Sequence, residues 1–151
     1  MTSSSLRLHL AGVLLAGIAL PAWAETPVVD IHKDPACGCC TAWAEHLEAA
    51  GFEVRQHETR DMRELKAAHG VSPRLASCHT AVVDGYVIEG HVPAADIRRL
   101  LDERPELQGL AVPGMPHGSP GMETGRQDDY AVLGFHDDGR VPSIFTNYSH
   151  D

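Results

Sequence analysis

Three of the four cysteines in this chain fall inside one tetrapeptide, Cys37-Gly38-Cys39-Cys40, and the fourth, Cys78, stands alone. The outer pair, Cys37 and Cys40, has the C-x-x-C spacing of a redox dithiol, and a C-x-x-C between a strand and a helix is where such pairs are carried. The free N–H groups and aligned peptide dipoles at a helix start favour thiolate over thiol. A thiolate is both a nucleophile and a soft metal ligand, so location predicts activated sulfur without choosing between the two uses. The count of sulfurs leans toward metal. A redox pair needs two thiols, whereas here a third sits inside the motif and a fourth is available from Cys78.

Softness and spacing narrow the choice of ion. Thiolates favour Cu(I), zinc and iron–sulfur clusters. Structural zinc sites usually show two separated C-x-x-C pairs, and iron–sulfur sites use other spacings. Neighbouring side chains on a helix project about 100° apart, so Cys39 and Cys40 are poorly placed to chelate one tetrahedral ion. They are better placed to bridge several. Copper as Cu(I), in one or more ions, is therefore the expected cofactor, held by Cys37, Cys39, Cys40 and Cys78. Two other readings stay open. One is a thiol-disulfide oxidoreductase with Cys37 as nucleophile and Cys40 resolving. The other is a pair of structural bridges such as Cys37–Cys40 with Cys39–Cys78, since a Cys39–Cys40 bond would be strained.

Accessory candidates lie close by. His79 follows Cys78 and is expected at the rim of the site, as a ligand or proton partner. Met115, His117 and Met122 sit in a glycine- and proline-rich stretch, and thioether sulfur suits Cu(I), although methionine equally fills irregular gaps in a core. The remaining histidines after the N-terminal segment (His32, His46, His57, His69, His91, His136 and His150) form no ligand spacing and are expected at the surface.

The elements that must position these residues can be read from hydrophobic period and turn chemistry. Pro27–His32 reads as a strand. After Asp34-Pro35 and the cysteines, Trp43, Leu47 and Ala50 recur at helical spacing, with Gly51 placed to end the helix. Phe52–His57 reads as a second strand. Asp61 with Glu64 looks like a capping signature for a second helix ending at Gly70. Asp84-Gly85 predicts a type I′ hairpin between Thr80–Val83 and Tyr86–Gly90. Pro93 marks the start of a third helix with Ala94, Ile97, Leu100 and Leu101 on its apolar face. Gly109–Arg126 holds five glycines and three prolines in 18 residues and is expected to form no regular element. A second hairpin is expected from Tyr130 to Tyr148 around Asp138-Gly139. The order predicts an α/β, thioredoxin-like βαβαββα domain with an appended C-terminal β-hairpin, because crossover rules leave few other topologies.

Residues 1–24 read as an export signal: Arg7, an apolar run of 11 residues from Leu10 to Leu20, then Ala22-Trp23-Ala24. That run falls short of the ~20 residues of a membrane span, so no membrane anchor is expected once the signal is removed. Residues 25–151 then form one domain, expected in the periplasm, where cysteines meet an oxidising compartment. The full chain carries a formal net charge of −9, and loss of Arg7 makes the exported part more acidic. An acidic surface repels phosphates, which argues against nucleic acid as a partner.

Three blocks of this sequence are recognisable together: KDPACGCCTAWAEHLEAAGFEV (Lys33–Val54), LASCHTAVVDGYVIEGHVPAADIRRLL (Leu75–Leu101) and GLAVPGMPHGSPGME (Gly109–Glu123). They closely resemble the CopG-like family of periplasmic proteins tied to copper resistance. The resemblance covers nearly all of residues 25–151, leaving out the tail from Asn147 to Asp151. It implies a thioredoxin-like fold and copper bound by Cys37, Cys39, Cys40 and Cys78. Copper ions and other periplasmic copper-handling proteins are the expected partners.

Overall fold

The computed structural model describes residues 26–150, so the expected export signal at 1–24 lies outside the described residues. The elements run β1 (Val28–Lys33), α1 (Gly38–Ala49), β2 (Glu53–Glu58), α2 (Met62–Ala68), β3 (Thr80–Val83), β4 (Tyr86–Glu89), α3 (Ala94–Glu103), β5 (Gly109–Ala111), β6 (Tyr130–Phe135) and β7 (Ser143–Tyr148). The order from strand to third helix is the one the hydrophobic pattern predicts. Among the described residues no helix is long and apolar enough to cross a membrane.

The result is a mixed α/β fold with one seven-stranded sheet, in the order β2-β1-β3-β4-β5-β6-β7. β1 and β2 are parallel and joined through α1, while β3 runs antiparallel to both β1 and β4. β5 is parallel to β4, with α3 as the crossover, and β6 and β7 follow antiparallel. Alternation along β1 turns Val29 and Ile31 to one face and Asp30 and His32 to the other. The first face carries the main core, where Trp43, Ala44 and Leu47 of α1 and Ile97 and Leu100 of α3 pack on Ala81, Val83, Ile88, Leu110 and Val132. Full burial of each such large side chain is worth about 1.5–3 kcal/mol before the entropy of ordering it. The opposite face holds a smaller cluster of Val71, Leu75, Val87, Ala111 and Phe135.

Local signals fix the boundaries. Asp84 (φ 49°) and Gly85 (φ 86°) both take left-handed conformations, as a type I′ hairpin requires. Gly51 (φ 87°) follows the last turn of α1. Pro93 occupies the N-cap of α3, and the first N–H of that helix, from Ala94, is taken by Nε2 of His46 at 3.1 Å. Asp61 does stand at the N-cap of α2, but its side chain makes no capping bond.

Two expectations are corrected. Gly109–Ala111, assigned to a structureless stretch, is β5 and fully buried. The prolines begin only at Pro113, so averaging over 18 residues hid a short apolar strand. Gly109 is required there, since a Cβ would collide with the Val87 carbonyl. The C-terminal hairpin is also not an appendage: β6 pairs with β5 and continues the same sheet.

Candidate metal centre

The tetrapeptide sits where β1 hands over to α1. Cys37 is the N-cap of the helix and Gly38 its first residue, so the sulfurs occupy the end with unpaired N–H groups. Cys37 and Cys40 are joined by a disulfide, with their Cα atoms 5.4 Å apart. Cys39 and Cys78 are free and half-buried. The Sγ of Cys39 lies 3.6 Å from that of Cys37 and 3.8 Å from that of Cys78. All four Sγ atoms lie within 4.8 Å of one another. Two stretches far apart in sequence thus meet at the start of one helix, as the spacing argument requires.

Cys78 is also the hinge of a second group, with the ligand atoms of His79 and His91 within the same 4.8 Å. His91 Nε2 is 2.9 Å from Cys78 Sγ, and His79 Nδ1 is 3.4 Å from it. His91 is fully buried, which corrects its expected surface placement. His79 is not at a rim either. It is fully buried under the site, its ring 4.3 Å from that of Trp43, and its Nε2 has no hydrogen-bond partner among the described residues. Trp43 in turn donates its Nε1–H to the Val92 carbonyl at 2.8 Å, tying the cysteine-bearing helix to the segment that carries His91.

Electrostatics keep the second group neutral. Burial first, and then the neighbouring Cys39 sulfur, push the Cys78 thiol up to about 12. Helix-start activation of sulfur therefore does not extend to Cys78, which is on a loop and not on α1. Burial, helped by the adjacent His91 and Lys66, drives His79 well below the ordinary histidine value. Burial lowers His91 too, partly opposed by its bond to the Pro120 carbonyl and by Glu123.

The accessory residues of the 113–126 loop are held differently. Pro120 oxygen accepts the Nδ1–H of His91 at 2.7 Å. Gly121 (φ 84°) lies so close to α1 that a Cβ would sit 2.8 Å from both Cys39 O and Trp43 N. The loop is laced internally, with His117 Nδ1 bonded to Thr124 Oγ1 at 2.6 Å and its N–H to Asp128 at 3.1 Å. His117 is therefore engaged within the loop and is not in either metal-capable group. Met115 is exposed and Met122 half-buried. Of the other histidines, His57 and His150 are exposed as expected, while His32, His46, His69 and His136 are partly buried.

His91 is the residue that sequence reasoning missed, and the signal for it was present. Counting outward from Asp84-Gly85, the hairpin register pairs Thr80 with Glu89. One step further, Gly90 N–H bonds His79 O at 3.1 Å. The next step sets residue 91 opposite residue 78.

Comparison with known proteins places this geometry. A family model described as a protein of unknown function, DUF411, matches residues 75–122, the stretch holding Cys78, His79, His91 and the loop. No curated protein matches the chain. A solved structure of the copper resistance protein CopG, form 2, superposes with a TM-score of 0.79 at 52% identity, covering 83% of this chain and 100% of that one. Form 1 of the copper resistance protein CopG gives a TM-score of 0.78 at 51% identity with the same coverage. At that identity, over the whole length of both structures, the chain belongs to the CopG copper-resistance family.

Proposed function

We propose that this protein binds copper, as Cu(I), through the sulfurs of Cys37, Cys39, Cys40 and Cys78, and so sequesters or passes it on in the periplasm. The observation that carries the reading is the convergence of four Sγ atoms within 4.8 Å at a helix start. Thiolate is the ligand class that soft Cu(I) selects, and the adjacent sulfurs of Cys39 and Cys40 favour bridging more than one ion. The export-type segment at 1–24 supports the compartment, and the names of the CopG relatives support the metal. The strand order β2-β1-β3-β4 with α1 after β1 supports a thioredoxin-like reading of the first part.

Four-sulfur ligation requires that the Cys37–Cys40 bond first be opened. A dithiol reductant supplies two electrons and two protons, the S–S bond breaks, two S–H groups form, and the reductant leaves as a disulfide. Met115, on the outer surface of the loop, and Met122 offer thioethers through which a soft ion would be taken up or handed on.

Metal analysis by mass spectrometry of protein reduced and purified without oxygen tests the proposal. Copper is expected in the wild type and lost in Cys39→Ser and Cys78→Ser. Full uptake by either variant would remove the four-sulfur site. The disulfide favours a second reading, a thiol-disulfide oxidoreductase using Cys37 and Cys40. Its mark would be turnover of a disulfide substrate by metal-free protein, retained in Cys78→Ser.

A further inference from the structure

On the face of the sheet away from α1, a charge lies buried beside the loop that carries Cys78. Glu89, the last residue of β4, is fully buried. Its Oε1 accepts the Nζ of Lys66 at 2.6 Å and the backbone N–H of Ser77 at 2.6 Å. Its Oε2 accepts the hydroxyl of Thr80 at 2.7 Å. Lys66, reaching in from α2, also bonds Thr80 Oγ1 at 3.0 Å. One carboxylate therefore holds the residue before Cys78-His79 and the residue after it.

A buried ion pair of this kind is poor evidence for stability, because desolvating both charges offsets most of their attraction. What it supplies is geometry. Charge-assisted bonds are short and directional, and three of them converge on Glu89. Ser77 is gripped a second time, its hydroxyl donating to the Gly114 carbonyl of the 113–126 loop. The Cys78-His79 dipeptide is thus an arch with both feet fixed, and its sulfur faces Cys39 at 3.8 Å and His91 at 2.9 Å.

We infer that Glu89 is the positioning residue for Cys78: its carboxylate, neutralised by Lys66, sets where the sulfur stands opposite Cys39 and His91. Glu89 touches neither sulfur nor imidazole in this role; it acts through Ser77 and Thr80. The inference rests on the proposed copper site for one of its two readouts and is independent of it for the other.

The metal-free readout is the rate at which N-ethylmaleimide alkylates Cys78, measured in a Cys39→Ser background with the Cys37–Cys40 bond intact, so that Cys78 is the only free thiol. Glu89→Gln keeps the shape and loses the charge, and should speed alkylation by about tenfold or more, as expected for loss of charged hydrogen bonds. Glu89→Asp, which keeps the charge, should recover part of the wild-type rate. In otherwise wild-type, reduced protein, Glu89→Gln should weaken Cu(I) binding by about tenfold to a hundredfold in competition with a chelator. A merely structural Glu89 would lower the denaturation midpoint but leave native alkylation and the sulfur-to-copper absorption bands unchanged, and that result overturns the inference. Should Glu89→Gln fail to fold, Thr80→Val removes one foot of the arch at equal size. It must then speed alkylation, and an unchanged rate overturns the inference as well. If wild-type protein takes up no Cu(I), the proposed function fails while the alkylation rates still decide the role of Glu89.

Discussion

Half-buried Cys78 and fully buried His91 form a pair whose proton positions are fixed by a third group. The Sγ of Cys78 lies 2.9 Å from Nε2 of His91, and Nδ1 of His91 lies 2.7 Å from the Pro120 carbonyl oxygen. A carbonyl can only accept, so Nδ1 carries the hydrogen and Nε2 presents its lone pair to the sulfur. A thiol pushed up to about 12 and an imidazole held low are consistent with this: Cys78 donates S–H to a neutral His91. A soft ion arriving at Cys78 meets a sulfur already oriented, backed by an imidazole of fixed tautomer.

Removal of that imidazole should therefore be felt at the metal. Groups that orient a ligand are typically worth tenfold to a hundredfold in affinity. His91→Ala is expected to weaken Cu(I) binding by about that factor in a chelator competition, with the circular dichroism spectrum preserved. Equal affinities in variant and wild type would show that the pair plays no part in binding.

A second histidine makes stability depend on pH. His46 accepts the N–H of Ala94 at the start of α3. Burial lowers its pKa from the ordinary 6.5, against a smaller opposing pull from Glu123. The unfolded chain takes up this proton near 6.5 and the native chain only at lower pH. Between the two the unfolded state binds more protons, so stability falls as pH drops below 6.5 and the effect vanishes above it. One such group contributes at most about 1.4 kcal/mol per pH unit. His46→Gln keeps an acceptor for Ala94 and does not titrate. Its urea midpoint should fall less steeply than that of the wild type between pH 6.5 and 5, with the two parallel above pH 7. Parallel curves throughout would clear His46 of the effect.

Legibility varied with the range of the interaction. The cysteine spacing, Asp84-Gly85 and Pro93 are local signals, and each corresponds to what the chain does there. The partners of those residues are set by the sheet, and were harder to see. His91 looked like one scattered histidine because its neighbour, Cys78, is reached only by counting hairpin register past the strand ends. Nothing near Glu89 or Lys66 in sequence says that α2 covers that face and pairs the two charges. β5 was hidden because three buried residues were averaged with a proline-rich loop, and its pairing with both β4 and β6 is a long-range property.

The 113–126 loop packs on the first turn of α1 and on His91, and a single methyl group should lift it. Gly121 has a φ of 84° and approaches the first turn of α1 so closely that a Cβ would lie 2.8 Å from Cys39 O and Trp43 N. Both are helix backbone atoms and cannot yield, so in Gly121→Ala the loop must move. The Pro120 carbonyl would leave His91 as it does so, and the imidazole that stands against the Cys78 sulfur would lose its anchor. Gly125→Ala is the matched control. Its φ of 86° imposes the same backbone strain, but its Cβ would meet nothing within 4 Å. In metal-free protein, maleimide should therefore label Cys78 faster in Gly121→Ala than in Gly125→Ala, by about tenfold if the worth of one buried hydrogen bond is lost. Equal labelling in the two variants would mean that the loop strains without disturbing the Cys78–His91 pair. The contact between Gly121 and α1 would then be packing alone.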